Sequence, residues 1–330
     1  MAINLSLAGA GVLQALVYLL FIRSVDLYER EALRYVLPVF IWGFSVAVVF
    51  SLLFNTLSAV TLTEVASVDQ RVVSFVTAVF VAPVVEEFWK GLAVFIVFLV
   101  SFVVHRRRGV VEFSGVMDGI VYGSAVGFGF SIVEDLLYYA QAGPETFVVR
   151  RLFGGFAHAA FTSLTGIGVG LIPWVRYRSL KVLLPLVGLG GAMLLHGTFN
   201  FMASVFGPAA YVVLLFVLAG YAVLIAAWLW VERRVIRNEL RDEVGGSISA
   251  AEYGILPTYF RRTLYYARLF FTGHPIEWHR ARQVHAAAVD LAFTKRLSRI
   301  SHAAPQEYRL RYLRGRIAEH RGAGASVYEP

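Results

Sequence analysis

Long apolar runs dominate the first 231 residues of the chain. A helix rises about 1.5 Å per residue, so about 20 apolar residues cross a hydrocarbon core of about 30 Å. Because runs of this length alternate with short polar segments, the pattern predicts an all-α, polytopic membrane bundle of about seven transmembrane helices. The predicted spans lie near residues 4–22, 37–58, 74–103, 115–140, 151–174, 182–205 and 209–231.

The first and third runs differ from an ordinary transmembrane span in their surroundings or length. The first has no basic residue before it and is longer than the apolar part of a signal peptide, so we expect it to span the membrane. The third is too long for a helix perpendicular to the membrane, and it contains Pro83. Because proline lacks a backbone N–H, Pro83 is expected to break or kink the run or to begin its second half.

The composition fits a chain whose solvent is mostly lipid. Of the 330 residues, 58% are hydrophobic and 16% are charged, whereas a soluble globular chain is nearer half apolar and a quarter charged. The chain has no cysteine, which excludes disulfides, a thiol nucleophile and cysteine-based zinc or iron–sulfur sites.

Most of the net charge of +8 lies in the last 99 residues. Residues 1–231 carry 13 Lys and Arg against 12 Asp and Glu, a net of +1, and residues 232–330 carry 17 against 10, a net of +7. The sequence therefore divides into a transmembrane bundle and a basic tail. Such a tail is typical of a cytoplasmic anchor on anionic lipid headgroups. No nucleic-acid-binding motif occurs in it, so no nucleic acid partner is expected.

The tail is expected to be helical near 277–301 and 305–321. His279 and His285 are six residues apart, a poor spacing for one helix face, and are expected at the surface.

The basic residues between the spans predict the orientation. Nine Lys and Arg follow the first, third and fifth spans, and three lie on the opposite side. Because Lys and Arg concentrate on the cytoplasmic side, we expect the N-terminus outside and the tail in the cytoplasm.

Ionisable residues inside the predicted spans are functional candidates, because burying a charge in the bilayer costs at least a few kcal/mol. Residues four apart in a helix lie on one face, which groups His158 with Thr162 and His196 with Asn200. The candidates are Glu86, Glu87 and Lys90 in the third span, Phe130 and Glu134 in the fourth, His158 with Thr162 in the fifth, and His196 with Asn200 in the sixth.

Depth brings four of these residues into one layer. With the predicted orientation, Glu86 and His196 lie about 17 and 14 Å below the outer ends of their spans. His158 and Glu134 lie about 10 and 9 Å below theirs. Carboxylates and imidazoles in one layer can activate a water molecule or hold a metal ion that does so.

Structural interpretations of these residues remain open. Glu87 and Lys90 are spaced as a buried ion pair that packs helices, and a membrane histidine can be an interhelical hydrogen bond. Asp135 is expected to be a solvated or capping acid, and Asp118 to be structural. Small-residue spacing predicts close helix packing at Gly119, Gly123, Gly127 and Gly129.

The ordered set of motifs resembles the PrsW family of intramembrane proteases, distant relatives of the CAAX prenyl protease and bacteriocin-processing group. The family's Glu-Glu-x-x-Lys corresponds to Glu86, Glu87 and Lys90, and its Phe-x-x-x-Glu to Phe130 and Glu134. The acidic stretch from Asp26 to Glu31 also looks similar, although Ala32 stands where a proline is common. The two later histidine motifs correspond to His158 with Thr162 and His196 with Asn200.

The resemblance covers roughly 20–205 and implies hydrolysis of a peptide bond in a membrane-bound substrate. By analogy this is a single-span membrane protein such as an anti-sigma factor, cut in a bacterial plasma membrane during signalling. The candidate catalytic residues are Glu86, Glu87, Glu134, His158, His196 and Asn200, with Lys90 and Phe130 in support.

Water is the expected nucleophile, since no cysteine and no Ser/His/Asp motif is present. We assign Glu86 as general base, and His196 with Asn200 as oxyanion donors. Glu134 and His158 would orient the water or bind a metal. A zinc site of His158, His196 and one glutamate such as Glu134 has the composition of a catalytic centre. Without a His-Glu-x-x-His motif, a metal-free glutamate mechanism stays equally open.

Two other functions use similar residues. A transporter or proton relay also places Glu, His and Asn within the membrane, although no convincing internal repeat is present. A scaffold protein would use the polar residues only to hold helices together.

Overall fold

The computed structural model describes residues 5–108, 113–142, 144–301 and 307–322. Residue 4 of the first predicted span and residues 305–306 of the last predicted tail helix lie outside these ranges. The described residues form helices and no β-strand, which confirms the all-α class. The helices are α1 Leu5–Val25, α2 Leu33–Trp42, α3 Val48–Val60, α4 Gln70–Val76, α5 Ala82–Arg108, α6 Val116–Ala142, α7 Pro144–Gly170, α8 Arg178–Phe206, α9 Ala210–Glu239, α10 Ala250–Ile255, α11 Tyr259–Phe271, α12 Pro275–Ser301 and α13 Glu307–Gly322.

Five helical segments of the described chain are long and apolar enough to cross a membrane, in agreement with a helical membrane bundle. One of them, Arg178–Glu243, contains both α8 and α9, and the described part of α1 forms a shorter apolar helix. The prediction of seven spans stays a prediction. The chain divides into two compact units, the first of which contains most of α1 to α9.

Two of the spans contain π-helical turns, in which one extra residue widens the helix. One such turn, Gly43–Ala47, joins α2 to α3, and another, Thr77–Val81, joins α4 to α5. Pro83 is the second residue of α5, so it begins the second half of the third predicted span. Because the turn Thr77–Val81 runs directly into α5, Pro83 lies within a continuous helix, and its missing N–H leaves one helical carbonyl without its usual partner.

Helix α6 lies at the centre of the first unit, and 94% of its most apolar stretch is buried. Glycine allows its neighbours to approach this closely, as the spacing predicts. A methyl group on Gly127 would lie 2.6 Å from the backbone of His158, and one on Gly129 would collide with the carbonyl of Phe40. These two glycines therefore set how close α7 and α2 lie to α6.

The second unit consists of Leu27–Arg30, Pro173–Arg176 and Ala226–Pro330. Apolar residues of α9, α12 and α13 form its core, together with Tyr28 and Trp174 from the two short segments. The Tyr28 hydroxyl donates to the carbonyl of Pro257 at 2.9 Å. The unit thus holds loop residues that are distant from it in sequence.

Buried polar residues organise this core. Glu243 accepts hydrogen bonds from Lys295 at 2.9 Å and Arg314 at 2.8 Å. Burial acts to raise the pKa of Glu243, but hydrogen bonds from Arg314, Ser247 and Lys295 outweigh it and lower the pKa to about 2.

The surface position expected for His285 is wrong. Its side chain is 1% exposed, and its Nδ1 lies 2.9 Å from the hydroxyl of Tyr266. The spacing argument failed because the partner lies on α11 and not on the same helix as His285. Burial, helped by Arg262 and Arg321, lowers the pKa of His285 to about 3, so it is neutral at pH 7.

Candidate active site

Four consecutive helices of the first unit bring the predicted residues together. Glu86, Glu87 and Lys90 lie on the first three turns of α5, Glu134 on α6, His158 on α7 and His196 on α8. The rings of His158 and His196 are 5.2 Å apart. Residues that share one predicted depth therefore also share one place in the bundle.

The ammonium group of Lys90 lies at the centre of this group, and its side chain is fully buried. Its Nζ is 3.0 Å from Glu87 Oε1, 3.2 Å from Glu86 Oε2 and 3.0 Å from His158 Nδ1. Lys90 has three N–H donors and each finds an acceptor, as burial requires. The ring of Phe130 lies 3.8 Å from Nζ and covers it.

Glu87 is bonded on both carboxylate oxygens and is not exposed. Its Oε1 accepts from Lys90 and lies 3.0 Å from His196 Nδ1, and its Oε2 accepts from Thr162 at 2.8 Å. The ion pair allowed by the spacing of Glu87 and Lys90 is present. The Glu87 carboxylate therefore holds Lys90, His196 and Thr162 in position.

Glu134 supports His158 from the other side of its ring. The distance from Glu134 Oε2 to His158 Nε2 is 2.5 Å, and the same oxygen accepts from Arg150 at 2.6 Å. Arg150 also lies 3.5 Å from Asp135 Oδ1, and Gln14 donates to Asp135 Oδ2 at 2.8 Å. A continuous polar chain thus runs from Lys90 to α1.

The solvated position expected for Asp135 is wrong, because its side chain is completely buried between Arg150 and Gln14. Asp118 has the structural role expected for it. Its carboxylate accepts from the backbone N–H groups of Ser114 and Gly115, at 2.5 and 2.9 Å, and so caps the start of α6.

Glu86, His158 and His196 form the group that could hold a metal ion among the described residues, with donor atoms within 4.8 Å of one another. His196 Nε2 faces Glu86 Oε2 at 4.0 Å, while its Nδ1 contacts Glu87. Each histidine therefore has a carboxylate on one ring nitrogen, as metal-binding histidines commonly do. The carboxylate of this candidate metal group is Glu86. Glu134, expected as a possible zinc ligand, is not a member of it and contacts Nε2 of His158.

The net charge of the polar chain also favours a bound cation at this position. The polar chain contains two fixed positive charges, Lys90 and Arg150, and four carboxylates, which are Glu86, Glu87, Glu134 and Asp135. With all carboxylates ionised the sum is −2, which a divalent cation would neutralise. Because Lys90 Nζ lies 3.0 Å from His158 Nδ1, the ammonium would have to withdraw toward Glu87 when a metal binds that nitrogen.

Asn200 is not in contact with this group in the described structure. Its Nδ2 donates to the carbonyl of Ala78 at 2.9 Å, within the π-helical turn Thr77–Val81. The amide thus pairs with backbone that the widened turn displaces. Its assignment as an oxyanion donor stays a prediction.

A cavity of about 160 Å³ opens beside the carboxylates, and it contains residues that sequence reasoning missed. Glu86 and Glu134 line it together with Ser51 and Asn55 of α3. Ser51 is 2% exposed, and neither its Oγ nor Asn55 Oδ1 has a hydrogen-bond partner among the described residues. Buried polar atoms without partners are costly, so they indicate a place where a ligand's polar groups can bind.

This fold and site define a helical membrane protein with a buried glutamate–histidine group. Residues 31–228 match the family described as PrsW family intramembrane metalloprotease, so the chain belongs to the PrsW family. It is a membrane-embedded peptidase.

Curated relatives support the assignment of the chain to the PrsW family. Protease PrsW from Geobacillus kaustophilus is 30% identical over 220 residues, which are 65% of this chain and 87% of the relative. Protease PrsW from Bacillus subtilis is 27% identical over 217 residues, 64% of this chain and 88% of the relative. No solved structure matches the chain.

The ion pair leads to a stability prediction. Replacing Lys90 with Met leaves two buried carboxylates without their cation, so we expect a loss of about 3–5 kcal/mol. The double variant Glu87→Gln/Lys90→Met removes one of those charges and should recover part of that loss. Thermal unfolding of the purified protein in detergent is measured for Lys90→Met, for Glu87→Gln and for the double variant. Strictly additive losses for the two substitutions would contradict the pair.

Proposed function

We propose that the protein hydrolyses a peptide bond of a membrane-bound substrate with a water molecule activated at Glu86. The observation that supports this is the double position of Glu86. It belongs to the group with His158 and His196, and it also lines the open cavity. Glu87 is less suited to activate water, because both of its carboxylate oxygens are hydrogen-bonded and its side chain is fully buried.

In the proposed reaction the water oxygen bonds to the substrate carbonyl carbon and its proton passes to Glu86. Glu86 then gives that proton to the amide nitrogen as the carbon–nitrogen bond breaks. Lys90 keeps a positive charge beside Glu86, where it offsets the charge of the tetrahedral intermediate. Glu134 and Glu87 orient the imidazoles of His158 and His196.

Glu86, His158 and His196 would hold a divalent metal through one atom each, and the second carboxylate oxygen of Glu86 would stay available to take the proton from water. Such an ion would polarise the substrate carbonyl and lower the pKa of bound water. The family description, the second-carboxylate contact of each histidine and the charge sum all support a metal site. The metal-free glutamate mechanism uses the same residues.

Ser51 and Asn55 are proposed to bind the backbone of the substrate. A helix must unwind before its peptide bond can be attacked, and this exposes N–H and C=O groups that lipid cannot satisfy. Ser51 Oγ and Asn55 Oδ1 lie unpartnered in the cavity beside Glu86 and can pair with these groups. A single-span membrane protein is the substrate that fits, with an anti-sigma factor as the case implied by the family.

Replacing Glu86 with Gln keeps the shape of the side chain and removes the base. Cleavage of a co-reconstituted, tagged single-span protein should fall at least about a hundredfold. The control Glu64→Gln changes an exposed acid outside the group and should cut normally. Normal turnover by a folded Glu86→Gln protein would refute the assignment.

The histidines separate the two mechanisms. With a metal site, His158→Ala and His196→Ala should each lose both bound metal and activity, because a three-ligand site rarely survives loss of one ligand. Metal content per protein is measured by plasma mass spectrometry, and metal binding to the stripped protein by calorimetry. The exposed His279 supplies the control His279→Ala.

A metal-free site would give a different set of results. The wild type would then contain no metal and stay active in chelators. Loss of His196 would cost about two to three powers of ten in kcat, as for one oxyanion donor.

The substrate-binding role of α3 predicts a change in KM. Ser51→Ala and Asn55→Ala should each raise KM by about two- to tenfold, the value of one hydrogen bond, with kcat nearly constant. Thr56→Ala, on the exposed side of α3, is the control. An uncleaved peptide binding equally well to the Glu86→Gln protein with and without Ser51 and Asn55 would contradict this role.

A further inference from the structure

Three arginines of the second unit border one cavity. Arg233 and Arg237 lie four residues apart near the end of α9, and Arg261 lies in the first turn of α11. They line a cavity of about 250 Å³ together with Tyr253 and Thr258. The Tyr253 hydroxyl donates to the carbonyl of Arg237 at 2.9 Å, which ties α10 to α9 beside the cavity.

The positive charge of this cavity is not balanced within the described residues. None of its three arginines forms an ion pair there, whereas Arg314 and Arg321 of the same unit bind buried glutamates. Helix α11 also begins at the cavity, and its N-cap residue Thr258 makes no side-chain cap hydrogen bond. Three arginines that line one cavity beside a helix N-terminus favour an anion with several oxygens, such as a phosphate.

The place of the arginines along α9 indicates the source of that phosphate. The last apolar run ends at residue 231, so Arg233 and Arg237 lie about 3 and 9 Å beyond it. A headgroup layer is about 5–7 Å thick on each side of the hydrocarbon core. Arg233 therefore lies within the layer of the lipid headgroups, and Arg237 lies one turn further along α9, just beyond that layer.

Helix α11 carries an exposed apolar stripe next to the same cavity. Phe260, Leu264 and Phe271 lie on one face and are 73%, 59% and 83% exposed. Arg261 and Arg268 follow one edge of this stripe. An amphipathic helix with exposed Phe and Leu and flanking Arg is typical of a helix in the membrane interface.

We propose that Arg233, Arg237 and Arg261 bind the phosphate of an anionic phospholipid headgroup. The stripe of Phe260, Leu264 and Phe271 lies in the boundary between headgroups and acyl chains beside it. The site is separate from the peptidase centre and does not depend on the proposed catalytic mechanism.

The first experiment measures lipid selectivity of the full chain. Dioleoyl phosphatidylglycerol or dioleoyl phosphatidylcholine is added to the protein in neutral detergent, and bound lipid is counted by native mass spectrometry. The wild type should prefer the anionic lipid. The variant Arg233→Gln/Arg237→Gln/Arg261→Gln should lose affinity for it by on the order of a hundredfold, at about fivefold for each arginine.

A matched control removes the same charge elsewhere in the unit. Arg241→Gln/Arg280→Gln/Arg311→Gln should keep the preference for phosphatidylglycerol, because these residues do not line the cavity. An equal loss in both triple variants would overturn the site, since it would reduce the effect to net charge. Retention of the preference in the first variant would overturn it as well.

Inorganic phosphate distinguishes a lipid from a soluble anion. It should bind far more weakly than phosphatidylglycerol, because it has no acyl chains to insert beside the α11 stripe. Binding of inorganic phosphate as tight as that of the lipid would overturn the lipid assignment.

The second experiment locates the α11 stripe. The chain has no cysteine, so a nitroxide label at Leu264→Cys is unique. In phosphatidylglycerol nanodiscs this label should be accessible to oxygen and shielded from a water-soluble nickel chelate. A label at Ala286→Cys, on an exposed position of α12, should show the reverse. Equal nickel accessibility at both positions would exclude insertion, and a partner protein on the stripe would then have to be sought.

Discussion

A lysine without access to water constrains the whole membrane site. The ammonium of Lys90 is stable in a bilayer only if all its protons find acceptors and its charge is compensated. Glu86, Glu87 and His158 meet this requirement, and they come from α5 and α7. The neighbouring helices are then fixed in turn, because Glu87 holds His196 on α8 and His158 holds Glu134 on α6.

This arrangement divides the two adjacent glutamates between different tasks. Glu87 is bonded to lysine, threonine and histidine, and so it behaves as part of the framework. Glu86 has one lysine contact and an open side, and so it can exchange partners during a reaction. Since neighbours on a helix point about 100° apart, adjacent positions suit these different environments.

The sequence was sufficient to predict the membrane bundle and the residues that meet at its centre. Long apolar runs predict where the spans lie. Because successive helices cross the membrane in opposite directions, each residue's distance from the end of its span gives its depth. This grouped Glu86, Glu134, His158 and His196. Burial of Asp135 and His285 could not be predicted, because their partners Gln14 and Tyr266 lie on other helices. Ser51 and Asn55 were missed because neither side chain is ionisable, and only the cavity distinguishes them.

The π-helical turn Gly43–Ala47 is a place where the chain could lose one residue without turning α3. Such a turn absorbs one extra residue without advancing the helix by a further 100°, so α3 keeps its face toward the cavity. A relative lacking one residue within this turn could form an ordinary α-helix there and still present the residues equivalent to Ser51 and Asn55. A gap of one residue elsewhere in α3 would turn that face away. The widened turn is therefore the place in this helix where the loss of one residue would leave the cavity face of α3 unchanged.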